Sequence, residues 1–246
     1  MGEILALLVV AALVGGAVWL ARRRQAAQAR ELDDARSEAR RWVERLGGQV
    51  LNLVGTDGPS KQALADAAER YTAAGAQMDQ VRSVAQARQV TETAYEGLYY
   101  VRAARTAMGM DPGPELPPLP GQQQAGAITE ERDVEVQGHG YSASPHPSDR
   151  NRHYHPGGDV AGRPVPAGWY SEPWWRPALA AGAWGVGSML LFSAMFSGMA
   201  GTGYEAGYAD GLAAGDEGGG GFDDAGHDGG GGFDDGGGFD AGGFDL

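Results

Sequence analysis

The chain has no cysteine, so thiol catalysis, Cys-ligated zinc and disulfide stapling are all excluded. Lysine is almost absent too: Lys61 stands alone among nineteen basic residues, the rest being arginine. No Walker A loop and no Rossmann glycine pattern occurs, which removes the usual phosphate cradles. No G-x-S-x-G elbow is present, which removes the hydrolase turn that exposes a serine nucleophile. No basic patch interleaves with aromatics, so nucleic acid is not an expected partner. No catalytic residue and no cofactor is assigned on these grounds.

Glycine is what the sequence has in excess, 42 of 246 residues, concentrated at the C-terminal end. Residues 201–246 are predicted to form a disordered, low-complexity tail, because glycine spacers and acidic charge bury too little apolar surface to offset the entropy of ordering. Phe-Asp recurs there at Phe222, Phe233, Phe239 and Phe244, without the spacing of a calcium-binding repeat.

Two long uncharged stretches dominate the rest. Residues Ile4 to Ala21 are eighteen uncharged, mostly apolar residues, about the minimum for a ~30 Å hydrocarbon core at 1.5 Å per residue. With only Glu3 before it and Arg22, Arg23 and Arg24 after it, the pattern lacks the basic leader of a signal peptide and reads as an anchor, residues 1–21. Pro177 to Ala200 carries no charge in twenty-four residues. Trp169, Tyr170, Trp174 and Trp175 precede it, as expected of a membrane interface. All nineteen Lys and Arg lie between Arg22 and Arg176. Arg22, Arg23, Arg24 and Arg176, each beside a span, are therefore the expected topology-setting residues, with residues 22–176 cytoplasmic and both termini outside. Small-xxx-small pairs around Gly182 and Gly185 suit close helix packing.

Residues 22–110 read as a helical segment. Leu32, Ala35, Ala39, Trp42, Leu46, Val50 and Leu53 recur at steps of three and four. After a turn cluster at Gly55–Pro59, a heptad seam runs through Leu64, Ala67, Tyr71, Ala74, Met78, Val81 and Ala85, and a third follows from Val84. This predicts a helical hairpin or three-helix bundle. Its charges, among them Glu31, Asp34, Glu38, Asp66 and Glu69, read as a solvated face. Residues 111–176 form a linker: DPGPELPPLP predicts a stiff extended spacer, and DVEVQ alternates as a short strand would. Four of the five histidines fall here, at His139, His146, His153 and His155. A His-x-His on a strand puts both rings on one face, which metals can use, but no further ligand completes a site and none is assigned.

EGLYYVRAARTAMGMDPGPELPPLP at 96–120 and AGRPVPAGWYSEPWWRPALAAGAWGVGS at 161–188, with the N-terminal anchor and the Gly-Phe-Asp tail, resemble a group of uncharacterised two-span membrane proteins from high-GC actinobacteria. That resemblance implies a bacterial plasma-membrane location and transfers no functional residue. The sequence thus leads to a mainly α, two-span, multi-pass membrane protein. Its expected role is a non-enzymatic, membrane-anchored interaction or structural one, with the lipid bilayer and either a second copy or a membrane protein as partners. Two alternatives stand beside it: an accessory subunit of a transport or secretion assembly, and a weak metal-dependent activity at the linker histidines.

Overall fold

The computed structural model describes residues 2–197; within the first helix the side chains of residues 3–14, 17 and 18 are outside the described set. The tail expected to be disordered, residues 201–246, lies outside the described residues. Six helices and six strands are present among the described residues.

Helix α1, Gly2–Asn52, is continuous for 51 residues. From Trp19 to Glu31 every residue is exposed, and packing begins at Leu32. Gly47 and Gly48 do not interrupt it. A Cβ on Gly47 would lie 2.7 Å from Cε2 of Tyr71, so the glycine lets the Tyr71 ring lie against the helix backbone. Helix α2, Gly58–Met78, opens with a reciprocal cap. The Ser60 amide donates to Asp57 Oδ1 at 2.7 Å and the Asp57 amide donates to Ser60 Oγ at 3.1 Å, with Pro59 in the first turn. Helix α3, Val84–Ala107, repeats the device with Ser83 and Gln86. The three helices pack through alanines and a few larger residues: Ala39, Ala74, Val81 and Val90 at one end, Leu46, Ala67, Ala94 and Leu98 at the other. A Cβ on Gly97 would come within 2.5 Å of Leu46, which shows how closely α1 and α3 approach.

The proline-rich segment turns back along α3 and is tied to it. Arg102 donates to the carbonyls of Gly113 (3.1 Å) and Pro114, and Tyr99 donates to that of Pro117 (3.3 Å). It is a strap on the bundle where the sequence suggests a freestanding spacer. After the short α4, Gln122–Ala125, come β1 (Arg132–Val136), β2 (His139–Ser144), β3 (His153–His155), β4 (Gly158–Val160), β5 (Arg163–Val165) and β6 (Gly168–Tyr170). Four of them form an antiparallel sheet in the order β1-β2-β6-β3; β4 and β5 form a separate hairpin. Both hairpins close through two residues of positive φ, Gln137-Gly138 and Ala161-Gly162, which match the right-handed twist of the strands.

Two further helices, α5 (Arg176–Ala181) and α6 (Val186–Phe196), complete the β unit. Leu191, Phe192, Met195 and Phe196 of α6 join Val160, Val165, Tyr170, Trp174 and Trp175 in one buried cluster. Its rings meet edge-on: Tyr170 with Trp175 at 5.0 Å, Trp174 with Trp175 at 5.7 Å, Phe192 with Phe196 at 5.0 Å.

These observations overturn the two-span, mainly α membrane fold, and with it the multi-pass plasma-membrane location and the assignment of residues 22–176 to the cytoplasmic side. Among the described residues no helix is long and apolar enough to cross a membrane. For the expected first span, most side chains lie outside the described set. For the second, the reason is local. Gly182 takes a left-handed conformation (φ 66°) and Gly185 an extended one, splitting the stretch into helices of 6 and 11 residues. The longer reaches only ~17 Å at 1.5 Å per residue, against a ~30 Å core. Leu191, Phe192, Met195 and Phe196 pack into the β unit, while Val186, Met189 and Leu190 are exposed. The expected interface aromatics are core residues instead: Trp169, Tyr170, Trp174 and Trp175 are all buried. Of the expected topology-setting residues, Arg22, Arg23 and Arg24 are exposed on α1, and Arg176 is engaged in ion pairs. The architecture is mixed α/β.

Candidate functional site

Charged and titratable side chains gather where α2 and α3 meet β3 and the segment leading into α5. Asp66 projects from α2 and is buried. It accepts from Gln62 at 3.1 Å, one turn earlier, and pairs with Arg176, which also lies 3.6 Å from Glu69. One turn further along α2, Arg70 meets Glu96 of α3 at 3.0 Å, each side chain about a quarter exposed (28% and 27%). Burial raises the carboxyls of both Asp66 and Glu96 above their ordinary range, with Arg176 and Arg70 respectively pulling the other way. Tyr100, next to this pair, is raised by burial and by the Glu96 charge, and so stays a neutral phenol. Tyr154 behind it is pushed up to about 12, again by burial.

A cleft of about 590 Å³ opens beside the Arg70–Glu96 pair, between α2 and α3 on one wall and the Pro156–Val160 chain on the other. Gln77, Gln89 and Thr93 line the helical wall, His155 and Asp159 the other. His155 is 6% exposed. Its Nδ1 accepts from the Gly157 amide at 3.0 Å, which places the remaining proton on Nε2, and its ring meets Trp175 edge-on at 4.9 Å. Burial lowers its pKa to about 3, so the ring is neutral at physiological pH and a poor base. His153, on the same face of β3, is lowered by burial and by Arg176 and Arg152; its Nδ1 is buried without a hydrogen-bond partner. His139 pairs with Glu172 at 2.7 Å on the opposite side of the sheet order, and His146 is exposed. Among the described residues no group of three or more His, Asp or Glu is placed to hold a metal ion.

The structure keeps His153 and His155 on one face of β3, packs His155 against Trp175, and places His139 and His146 elsewhere. Asp66, Arg70, Glu96 and Arg176 form a connected set that the sequence does not announce as a whole; Asp66, expected on a solvated face, is buried, while Glu69, expected there too, is exposed. One signal was available: Gln62, Asp66 and Arg70 recur at i, i+4 on one face of α2, beside the seam residue Ala67. The partners Glu96 and Arg176 lie 26 and 110 residues from Arg70 and Asp66 respectively, and no local pattern announces them. No protein-family model, curated protein or solved structure matches this chain.

Proposed function

We propose that this chain is a non-enzymatic interaction protein, a folded α/β body that presents the exposed part of α1 to a macromolecular partner. One observation carries the reading: α1 stays helical through Trp19–Glu31 while every residue there is exposed, including Trp19 at 60% and Leu20 at 49%. An isolated helix gains little from propensity, and helical stability in proteins comes mostly from packing of a face. A face left uncovered in this way is suited to a partner. The cleft supports the same reading from the other side. There Arg70 is paired with Glu96, and the histidine lining the cleft is neutral with its Nδ1 held by the Gly157 amide, so that ring is not a usable base.

A photo-crosslinking residue introduced at Gln28, on exposed α1, and separately at Gln89, on the cleft wall, distinguishes the surfaces. Adducts with macromolecules are expected from Gln28 and not from Gln89. Adducts confined to Gln89 would contradict the proposal.

A further inference from the structure

From Arg22 onward the charges on α1 open with a purely basic run and continue mixed. Arg22, Arg23, Arg24 and Arg30 carry every charge between residues 22 and 30; Glu31, Asp33, Asp34 and Glu38 follow, interleaved with Arg36 and succeeded by Arg40 and Arg41. Among the described residues, Arg22, Arg23, Arg24 and Arg30 make no ion pair, and neither do Glu31, Asp34 or Glu38. Leu20, Arg24, Ala27, Glu31, Asp34 and Glu38 recur at steps of four and three, so they share one face of the helix. That face is set one residue, about 100°, from the Leu32–Ala35–Ala39 seam that packs into the bundle. Arg24 and Asp34 are ten residues apart, ~15 Å along the axis, so they cannot meet within one helix.

Glu31, Asp34 and Glu38 also line a groove. Between α1 and α3 runs a depression of about 640 Å³ whose walls include Glu31, Asp34, Glu38, Glu92 and Tyr95, with Arg41 and Arg88 as the only bases. Among the described residues nothing fills it. The segment that would suit it is a helix with a basic turn, small residues at its centre and an apolar end. Residues 19–30 of α1 have those properties: Trp19 and Leu20, then Arg22–Arg24, then Ala26, Ala27 and Ala29.

We propose that two copies of this chain pair through α1 in antiparallel fashion, crossing near Ala29, so that Arg24 of each lies against Asp34 of the other, between Glu31 and Glu38, with Arg22 and Arg23 on the same turn. The proposal rests on the reading of α1 as the working surface and names its partner as a second copy. With the crossing at residue 29, Arg24 faces Asp34, Leu20 comes beside Glu38 and Tyr95, and Ala27 allows close approach. The contact is isologous and self-limiting, as a two-fold dimer requires. Parallel pairing in register would instead set like charges against each other, which is destabilising.

Charge exchange tests this on the full chain. One variant carries R22E, R23E and R24E; the other carries E31R, D34R and E38R. All six positions are exposed, so both variants should keep the fold, which circular dichroism checks. The wild-type chain is expected to sediment as a dimer at micromolar concentration. Each variant alone should dissociate, with Kd raised by about a hundred-fold or more from the accumulated repulsion. Mixed one to one, the two variants should form a heterodimer, because acidic positions then meet basic ones at both contacts. A wild-type monomer at these concentrations, or variants that dimerise as well alone as the wild type does, would overturn the pairing. If Gln28 still crosslinks to a different macromolecule in that case, the interaction role stands and only the second copy is wrong.

Discussion

Acidification from pH 7 to pH 4 is expected to cost the fold about 3 kcal/mol through a single residue, His155. Its pKa is lowered from 6.5 to about 3 by burial against Trp175 and the bundle. A depressed folded pKa means that the unfolded chain takes up a proton which the folded chain refuses. The stabilising contribution is therefore complete above about pH 6.5 and is lost as pH falls toward 3. Asp66 and Glu96 act in the opposite sense: their raised folded values give stability that is present below about pH 4 and lost as pH rises. His153, also lowered, acts with His155. The contribution of His155 is isolated by comparison with His155→Asn, which retains an acceptor for the Gly157 amide and has no ring to protonate. Urea unfolding should show the wild type more stable at pH 7, with the difference shrinking by about 3 kcal/mol at pH 4. An unchanged difference at the two pH values would show that the ring takes a proton in the folded state.

Glu96→Ala is expected to destabilise the protein by about 3 kcal/mol, because it leaves Arg70 partly buried beside the cleft without its counter-charge. The double change Arg70→Met with Glu96→Leu should recover most of that loss, since it removes both charges and fills the same space. Midpoints and slopes of urea unfolding measure both effects. If the double variant is as unstable as Glu96→Ala, the pair does more than satisfy itself, and the cleft would need to be reread as a site whose charges serve a ligand.

The sequence made the helical part legible and misled over the apolar part, for physical reasons. Seams at steps of three and four mark residues that must share a buried face, so α1 from Leu32, α2 and α3 could be read locally, and Pro59 marked the start of α2. The caps at Asp57–Ser60 and Ser83–Gln86 were equally local and went unread. The hairpin turns Gln137-Gly138 and Ala161-Gly162 were harder, since glutamine and alanine are uncommon at positive φ. The stretch from Pro177 to Phe196 is as apolar as a membrane span, and hydropathy does not distinguish lipid from a protein core. What separates them is the backbone at Gly182 and Gly185, which folds α6 back onto β1 and the aromatic cluster. In the candidate site, Asp66 was visible as an acid but its burial was not, because Arg176, its partner, is 110 residues away.

Leu191, Phe192, Met195 and Phe196 of α6 belong to the core of the β unit, whereas Trp19–Glu31 of α1 is exposed. Because the chain has no cysteine, a single introduced thiol reports on that directly. Met195 is fully buried and Ser197, two residues on, is exposed. In buffer free of lipid and detergent, Met195→Cys should react with a maleimide at least about a hundred-fold more slowly than Ser197→Cys, with the two equal in urea. Equal rates in the native protein, with protection of Met195→Cys appearing only when lipid vesicles are added, would contradict the account.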